Sequence, residues 1–180
     1  MDEKITEQEP TITISELKQE DIPQLYKLLE QRVIDPDTGK IFYDEINRII
    51  ESMAGNWGED NRKRKYLVAR DGNRVLGCMA YSAPDMSMCK HFGFEHPSTA
   101  DAIELLNAFV LEQGNGVGRK LFEAICEVGR NLGKSYLVIN SGPRYKDSWG
   151  FYDKMCDESC GFIENKYGDK RHANTWQIRL

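Results

Sequence analysis

Three glycines alternate in the segment Leu111-Glu112-Gln113-Gly114-Asn115-Gly116-Val117-Gly118-Arg119-Lys120-Leu121, between one apolar run and one strongly periodic run. Glycines let a turn reach dihedrals closed to other residues and let a ligand approach the backbone. A helix that starts at such a turn presents unpaired N–H groups and partial positive charge, which suits a phosphate. The chemistry on offer is therefore anion holding. A helix entry packed tightly on a sheet uses the same spacing, so both readings stand at this level. The pattern G-x-G-x-G is neither the dinucleotide fingerprint G-x-G-x-x-G nor a P-loop, which needs Gly-Lys-Ser/Thr.

Such a turn needs a strand before it and a helix after it. Ala102 to Leu111 is largely apolar and reads as a central strand. From Gly116 to Leu132 the apolar residues Val117, Leu121, Ile125, Val128 and Leu132 recur at helical spacing, and Gly133 stands where a C-terminal cap belongs. Upstream, Thr11 to Leu17 alternates as a strand, and Asp21 with Pro23 opens a helix that buries Leu25, Leu28 and Leu29. A second amphipathic helix carries Phe42, Ile46, Ile49, Ile50 and Met53. Tyr66–Ala69 and Val75–Tyr81 form a hairpin around Asp71-Gly72-Asn73-Arg74. Residues 82–101 show neither period, and a connection that long is expected to be functional or mobile. Tyr136–Ile139 reads as a buried strand, 146–155 as a short helix, and 161–166 and 172–180 as closing strands.

Composition narrows the classes. The 180 residues are 40% hydrophobic and 29% charged, which excludes a disordered or fibrous chain. A chain of this length buries enough surface to need no disulfide or metal staple. Residues 1–10 are expected to be a flexible polar tail, with a single domain over 11–180. Lys and Arg total 24 against 29 Asp and Glu, for a net charge of −5, so no global basic face supports nucleic-acid binding. The one dense basic cluster, Arg62-Lys63-Arg64-Lys65, reads as a solvated loop. No apolar run exceeds four residues, so no membrane partner is expected. Five cysteines and no signal-peptide core point to reduced thiols and a cytoplasmic setting. Cys89, His91 and His96 lack a fourth ligand nearby, so no metal is expected. Cys156 and Cys160 read as free thiols, and Trp149, Phe151 and Trp176 as core.

The glycine segment resembles the acetyl-CoA signature of the GNAT (Gcn5-related) N-acetyltransferases, Gln/Arg-x-x-Gly-x-Gly/Ala, with Gln113, Gly116 and Gly118 in register. Downstream, Ser148-Trp149-Gly150-Phe151-Tyr152-Asp153-Lys154-Met155 followed by Gly161-Phe162 resembles that family's Ala-x-x-Phe-Tyr-x-x-Leu-Gly-Phe segment. The order of elements over about 11–180 is similar too. Two departures stand out. The approach to Gln113 is short and lacks a proline, which leaves the strand's usual bulge open. Residues 156–160 are inserted before Gly161 and bear on the end of the Tyr152 helix.

The resemblance implies an α/β (α+β) fold: a mixed, mostly antiparallel sheet of about six to seven strands, splayed in the middle and flanked by about four helices. It implies acetyl-CoA as cosubstrate, with the pyrophosphate on Gln113, Gly114, Asn115, Gly116, Val117, Gly118 and Arg119. Pantetheine would lie in the splay like an added strand, beside the N–H groups of Val110 and Leu111. Tyr152 would be the general acid that protonates the leaving thiolate. For the general base the candidates are Glu104 and Glu112 at the strand ends, with Asp85, His91 and His96 before the strand. Glu104 is carried forward, although a glutamate at a strand end is more often only solvated. The implied reaction is direct N-acetyl transfer to a primary amine in a ternary complex. A non-catalytic acyl-CoA sensor or an interaction domain is the alternative. The acceptor, a small molecule or a peptide, would meet residues 32–42, 82–101 and 166–173. Asp35, Asp37, Asp85 and Glu95 there suit a cationic amine, and a homodimer is compatible with all of this.

Overall fold

The computed structural model describes residues 11–58 and 61–180; the expected polar tail, 1–10, lies outside the described residues. The elements follow in the order β1 (Ile12–Glu16), α1 (Ile22–Arg32), α2 (Tyr43–Met53), β2 (Lys65–Asp71), β3 (Arg74–Ser82), α3 (Met86–Phe92), β4 (Ala102–Val110), α4 (Val117–Asn131), β5 (Tyr136–Ser141), α5 (Trp149–Met155), β6 (Glu158–Ile163) and β7 (Ala173–Arg179). The strands make one sheet of seven in the order β1-β2-β3-β4-β5-β7-β6. Every neighbour pair is antiparallel except β4 and β5, which run parallel and are joined through α4.

Strand alternation sends side chains to two faces, and each face has its own helices. Leu67, Ala69, Leu137 and Ile139 pack with Leu121, Phe122 and Ile125 of α4, and with Tyr152 of α5. Val68 and Cys78 pack on the other face with Leu25, Leu28 and Leu29 of α1 and with Ile46 and Ile49 of α2. Between the β1 end and α1 lies a buried ion pair. Arg70 Nε donates to Asp21 Oδ1 at 2.9 Å, and Arg70 also reaches the second oxygen. Asp21 precedes a helix with Pro23 in its first turn, as expected, but its carboxylate serves Arg70 and the Lys18 N–H (2.7 Å) instead of capping α1.

Residues 82–101 are not a long structureless connection. They contain α3, capped by Asp85, whose Oδ1 accepts from the Met88 N–H at 2.8 Å, and ended by the left-handed Gly93. Met88 packs with Ala102 and Val138, and Cys89 is buried as well. Two turns are too few to show a helical period, which hides α3 in the sequence and makes five α-helices where about four were expected. Residues 156–160 also differ from expectation: Glu158–Cys160 begin β6, with an irregularity between Ser159 and Phe162, and Tyr152 stays 6% exposed in the core.

Candidate active-site cleft

The central relation is the one between β4 and β5. Their parallel pairing runs from Ala102↔Tyr136 to Leu105↔Ile139 and stops there. β4 continues with β3 to Val110, while β5 follows β7 to Ser141. The two strands part, and a cleft of about 1300 Å³ opens between them. A bulge helps to turn β4 away: the register with β3 shifts between Cys78↔Phe109 and Ala80↔Leu106, and Asn107 takes φ +46°. Asn107 Nδ2 donates to the buried Tyr66 hydroxyl at 2.7 Å, which itself meets Ser52 Oγ at 2.6 Å. The bulge that the sequence left open is thus present and anchored. At the far end, Arg32 clamps the strand, with Nε on the Val110 carbonyl (2.8 Å) and Nη2 on that of Leu111 (2.5 Å).

The glycine turn stands at this end of the cleft. Gly114 and Gly116 have φ +81° and +82°, a conformation that L side chains rarely adopt, and Gly116 is the residue from which α4 starts. A Cβ at either position would meet nothing within 4 Å, and one at Gly118 would make only ordinary contact with Phe151 at 3.7 Å. Crowding by the protein therefore does not explain these glycines. They leave open space in front of the α4 N-terminus, whose first amides have no intrahelical acceptor. Gln113, Gly114, Asn115, Gly116, Gly118 and Arg119 all line the cleft. Val117 does not: its side chain is fully buried, and its N–H donates to Asn115 Oδ1 at 3.3 Å.

Val110 and Leu111 divide. The Leu111 N–H donates to the Leu76 carbonyl at 2.8 Å, so it is engaged with β3 and turned from the cleft. Val110 sits opposite Gly77, and the alternation of an antiparallel ladder turns its N–H to the unpaired edge. Of the two amides expected to meet a ligand in the splay, the structure presents only the Val110 one.

Tyr152 is on α5, whose Phe151 comes close to Gly118, and Tyr152, Phe151 and Ser148 all line the cleft wall. Its ring lies 5.1 Å from that of Trp176 and 5.6 Å from that of Phe151. Burial, then the neighbouring Cys156, push its phenol well above the usual tyrosine range, against a hydrogen bond from Ser148. It is held protonated, as a proton donor must be.

Glu104 opens β4 at the other end of the cleft. It is 1% exposed, not a solvated strand-end residue. Oε2 accepts from Arg62 Nη1 at 2.7 Å and from the Asp85 N–H at 3.0 Å, and Oε1 accepts from Asn140 Nδ2 at 2.8 Å. Burial raises its pKa above the ordinary carboxylate value, opposed chiefly by the Arg62 charge. At ~3.3 Å per residue of strand, Glu104 lies about 20 Å along β4 from Val110. Asp85 and Glu45, two further carboxylates of the cleft, are paired too. Lys166 Nζ donates to Asp85 Oδ2 at 2.5 Å and also reaches Ser87. Burial alone would raise the Asp85 carboxyl, but Lys166, Ser87 and the Met88 amide hold it down at about 2. Glu45 accepts from the Tyr145 hydroxyl at 2.6 Å and pairs with Arg144, whose guanidinium lies 3.7 Å above the Phe42 ring.

Several of these partners carry no signal in the sequence. Arg62 belongs to the basic cluster read as a solvated loop, yet its side chain is 14% exposed and turned inward. Asn140, Tyr145 and Tyr167, whose hydroxyl donates to Asn140 Oδ1, stand in no motif that marks them. Of residues 82–101, only Asp85 lines the cleft. Asp35 is spent on the Asp37 and Thr38 amides (2.9 Å each), and neither Asp37 nor Glu95 lines the cleft, so the acids expected to receive a cationic amine are not gathered there. Glu112 lies in the cleft wall by the glycine turn and pairs with Arg74 at 3.5 Å. His91 Nε2 bonds to Cys160 O and Thr175 Oγ1, and His96 Nδ1 to Ser98. No cluster of three metal-ligating side chains occurs among the described residues, and no described helix is long and apolar enough to cross a membrane.

Comparison with solved structures agrees with this geometry. A protein of Desulfovibrio desulfuricans assigned to the GNAT acetyltransferases superposes with a TM-score of 0.72 at 15% identity, over 93% of this chain and 98% of that one. The Salmonella typhimurium protein YncA, described as an acetyltransferase and solved with its cofactor acetyl-CoA, gives 0.63 at 16% identity, over 94% of each chain. The PaiA N-acetyltransferase of Thermoplasma acidophilum, in complex with coenzyme A, gives 0.62 at 13% identity, over 94% and 99%. At these identities the likeness concerns the fold. No curated protein matches the sequence significantly. The family model for the acetyltransferase (GNAT) family, however, matches residues 22–157, about three quarters of the chain. With the splayed sheet and the glycine turn in place, the chain belongs to the GNAT acetyltransferase family.

Proposed function

We propose that this protein transfers the acetyl group of acetyl-CoA to a primary amine by direct attack within a ternary complex, as one domain over residues 11–180. The observation that carries the reading is the continuity of the cleft, which joins the glycine turn, the unpaired β4 edge, Tyr152 and Glu104 in one space. The pyrophosphate meets the α4 N-terminus and Arg119, and the pantetheine arm follows the open edge of β4. The Val110 N–H polarises the thioester carbonyl and stabilises the tetrahedral oxyanion.

Proton traffic has a group at each side. A primary amine with a pKa near 10 arrives mostly protonated and must lose a proton before attack. Glu104, its pKa raised by burial, stands well down β4 from Val110 and takes that proton through a chain of waters along the cleft. The amine nitrogen then bonds to the acetyl carbon, the C–S bond breaks, Tyr152 supplies the proton to the thiolate, and the proton that the nitrogen sheds on becoming an amide returns to Tyr152 through water. No cysteine lines the cleft, so a thioester acyl-enzyme has no thiol there.

A second reading is a sensor that binds acetyl-CoA without turnover. It draws support from the engagement of Glu104 by Arg62, which occupies the base candidate. Measurement of thiol release with a panel of amines separates the two: release above the no-amine background supports the enzyme, and binding without release supports the sensor.

A further inference from the structure

The chain is acidic overall, yet the cleft is not. Its wall carries eight basic side chains and six acidic ones, against 24 and 29 in the whole chain. Three of the six acidic side chains, Glu104, Asp85 and Glu45, are each matched by one cation of the same wall, namely Arg62, Lys166 and Arg144. Two further arginines, Arg48 and Arg171, reach the same space with no ion pair among the described residues. Arg48 stands one helical turn after Glu45 on α2, so it shares the cleft-facing side of that helix. Arg171 comes from the opposite wall, where the β6–β7 turn is tied by Tyr167 N–H to Arg171 O (3.1 Å) and by Arg171 N–H to Gly168 O (2.9 Å). That tight turn keeps the half-buried Arg171 on the cleft. The buried Nε1–H of Trp57, another residue of the wall, has no acceptor among the described residues.

A site in which two guanidinium groups are left over from the ion pairs does not suit a polyamine, whose several cations would meet them. It suits an acceptor that brings its own negative charge. Resting on the acetyltransferase reading above, we propose that the acceptor is a small amino carboxylate, with the amine toward Glu104 and the carboxylate held by Arg48 and Arg171. Guanidinium groups bind carboxylates with paired, charge-assisted hydrogen bonds, which discriminate strongly against the analogue that lacks the anion.

The test uses matched pairs: a panel of α-amino acids, the amine made by decarboxylating each, and spermidine. Thiol release from acetyl-CoA gives kcat/KM for each, and melting temperature with saturating CoA reports binding without chemistry. The expected result is a preference of roughly tenfold or more for an amino acid over its decarboxylated partner. Arg48→Gln and Arg171→Gln, both conservative changes at side chains open to the cleft, should raise the KM for the amino acid by about the same factor. The shift in melting temperature given by acetyl-CoA should persist in both. Preference for spermidine or the decarboxylated amines overturns the amino carboxylate and leaves the acetyltransferase standing. Stabilisation of the CoA complex by an amino acid, lost in Arg171→Gln, with no thiol released from any amine supports the anion site and removes the enzyme reading instead. Equal KM effects on both members of a pair would show that the arginines do not read the carboxylate.

Discussion

Arg62 donates to the carboxylate of Glu104 at 2.7 Å, joining a loop residue to the buried start of β4 across 42 positions of sequence. Desolvation makes a lone buried carboxylate costly, so the pair and the two further donors on Glu104 act as a unit. Removing only the cation, as in Arg62→Met, should destabilise the fold by about 3 kcal/mol, roughly 10 °C in Tm for a domain of this size. Adding Glu104→Met to that variant should restore part of the loss. Thermal unfolding checks both, and an unchanged Tm in the single variant would mean that water serves Glu104 as well as Arg62 does.

Glu104 should also show itself in the pH profile of catalysis. Burial raises its pKa, so the acid limb of kcat/KM should fall off at a pH above the ordinary carboxylate value of 4.5. Glu104→Gln should lower turnover by roughly 10²-fold and erase that limb. A limb that survives in Glu104→Gln assigns the proton transfer to another group.

Tyr152→Phe removes one oxygen from a ring packed against Phe151 and Trp176. Acetyl-CoA binding should be retained, while turnover falls on the order of 10²-fold because the leaving thiolate loses its proton donor. A variant that turns over like the wild type would make Tyr152 a packing residue.

At the glycine turn, Gly116→Asp and Gly116→Asn form a matched pair. Both side chains tolerate the left-handed backbone better than other residues, and both suit a helix N-cap, so the free protein should fold in each case. Acetyl-CoA should raise the Tm of the wild type, and this shift should vanish with Asp, whose charge faces the pyrophosphate, and shrink less with Asn. Equal shifts in all three proteins would move the phosphates elsewhere.

Asp85 sets an acid limit on stability. Its folded pKa, about 2, lies below the ordinary aspartate value, so its contribution is present above that value and disappears as pH falls from about 4 to about 2. The difference amounts to about 2 kcal/mol. Asp85→Asn should lower stability at pH 7 and flatten the loss between pH 4 and 2, as measured by denaturant unfolding at each pH.

What could be read from the sequence is what local rules control. The glycine turn and the α4 stripe from Val117 to Val128 are contiguous, and their physics acts over a few residues. The splay is different: it depends on where β4 and β5 stop pairing, which is decided by the Asn107 bulge and its bond to Tyr66, 41 residues away. The pairing of Glu104 with Arg62 and Asn140 likewise comes from topology, because basic residues in a run look alike until the fold turns one of them inward. α3 was missed for a simpler reason, since two turns buried by Met88 and Cys89 show no period. The proton donor position, Tyr152, was legible only through its resemblance to a family segment, as nothing in its own neighbourhood separates it from a packed tyrosine.

The most direct measurement is a balance of products. Protein, acetyl-CoA and an amine panel are incubated, with free thiol followed by colour and the acetylated amine by mass spectrometry, at varied concentrations of both substrates. The account predicts thiol and N-acetyl product in equal amounts, intersecting double-reciprocal lines that mark a ternary complex, and formation of both slowed on the order of 10²-fold in Tyr152→Phe. Tight acetyl-CoA binding without an acetylated product from any amine, or parallel lines that reveal an acyl-enzyme, would contradict it.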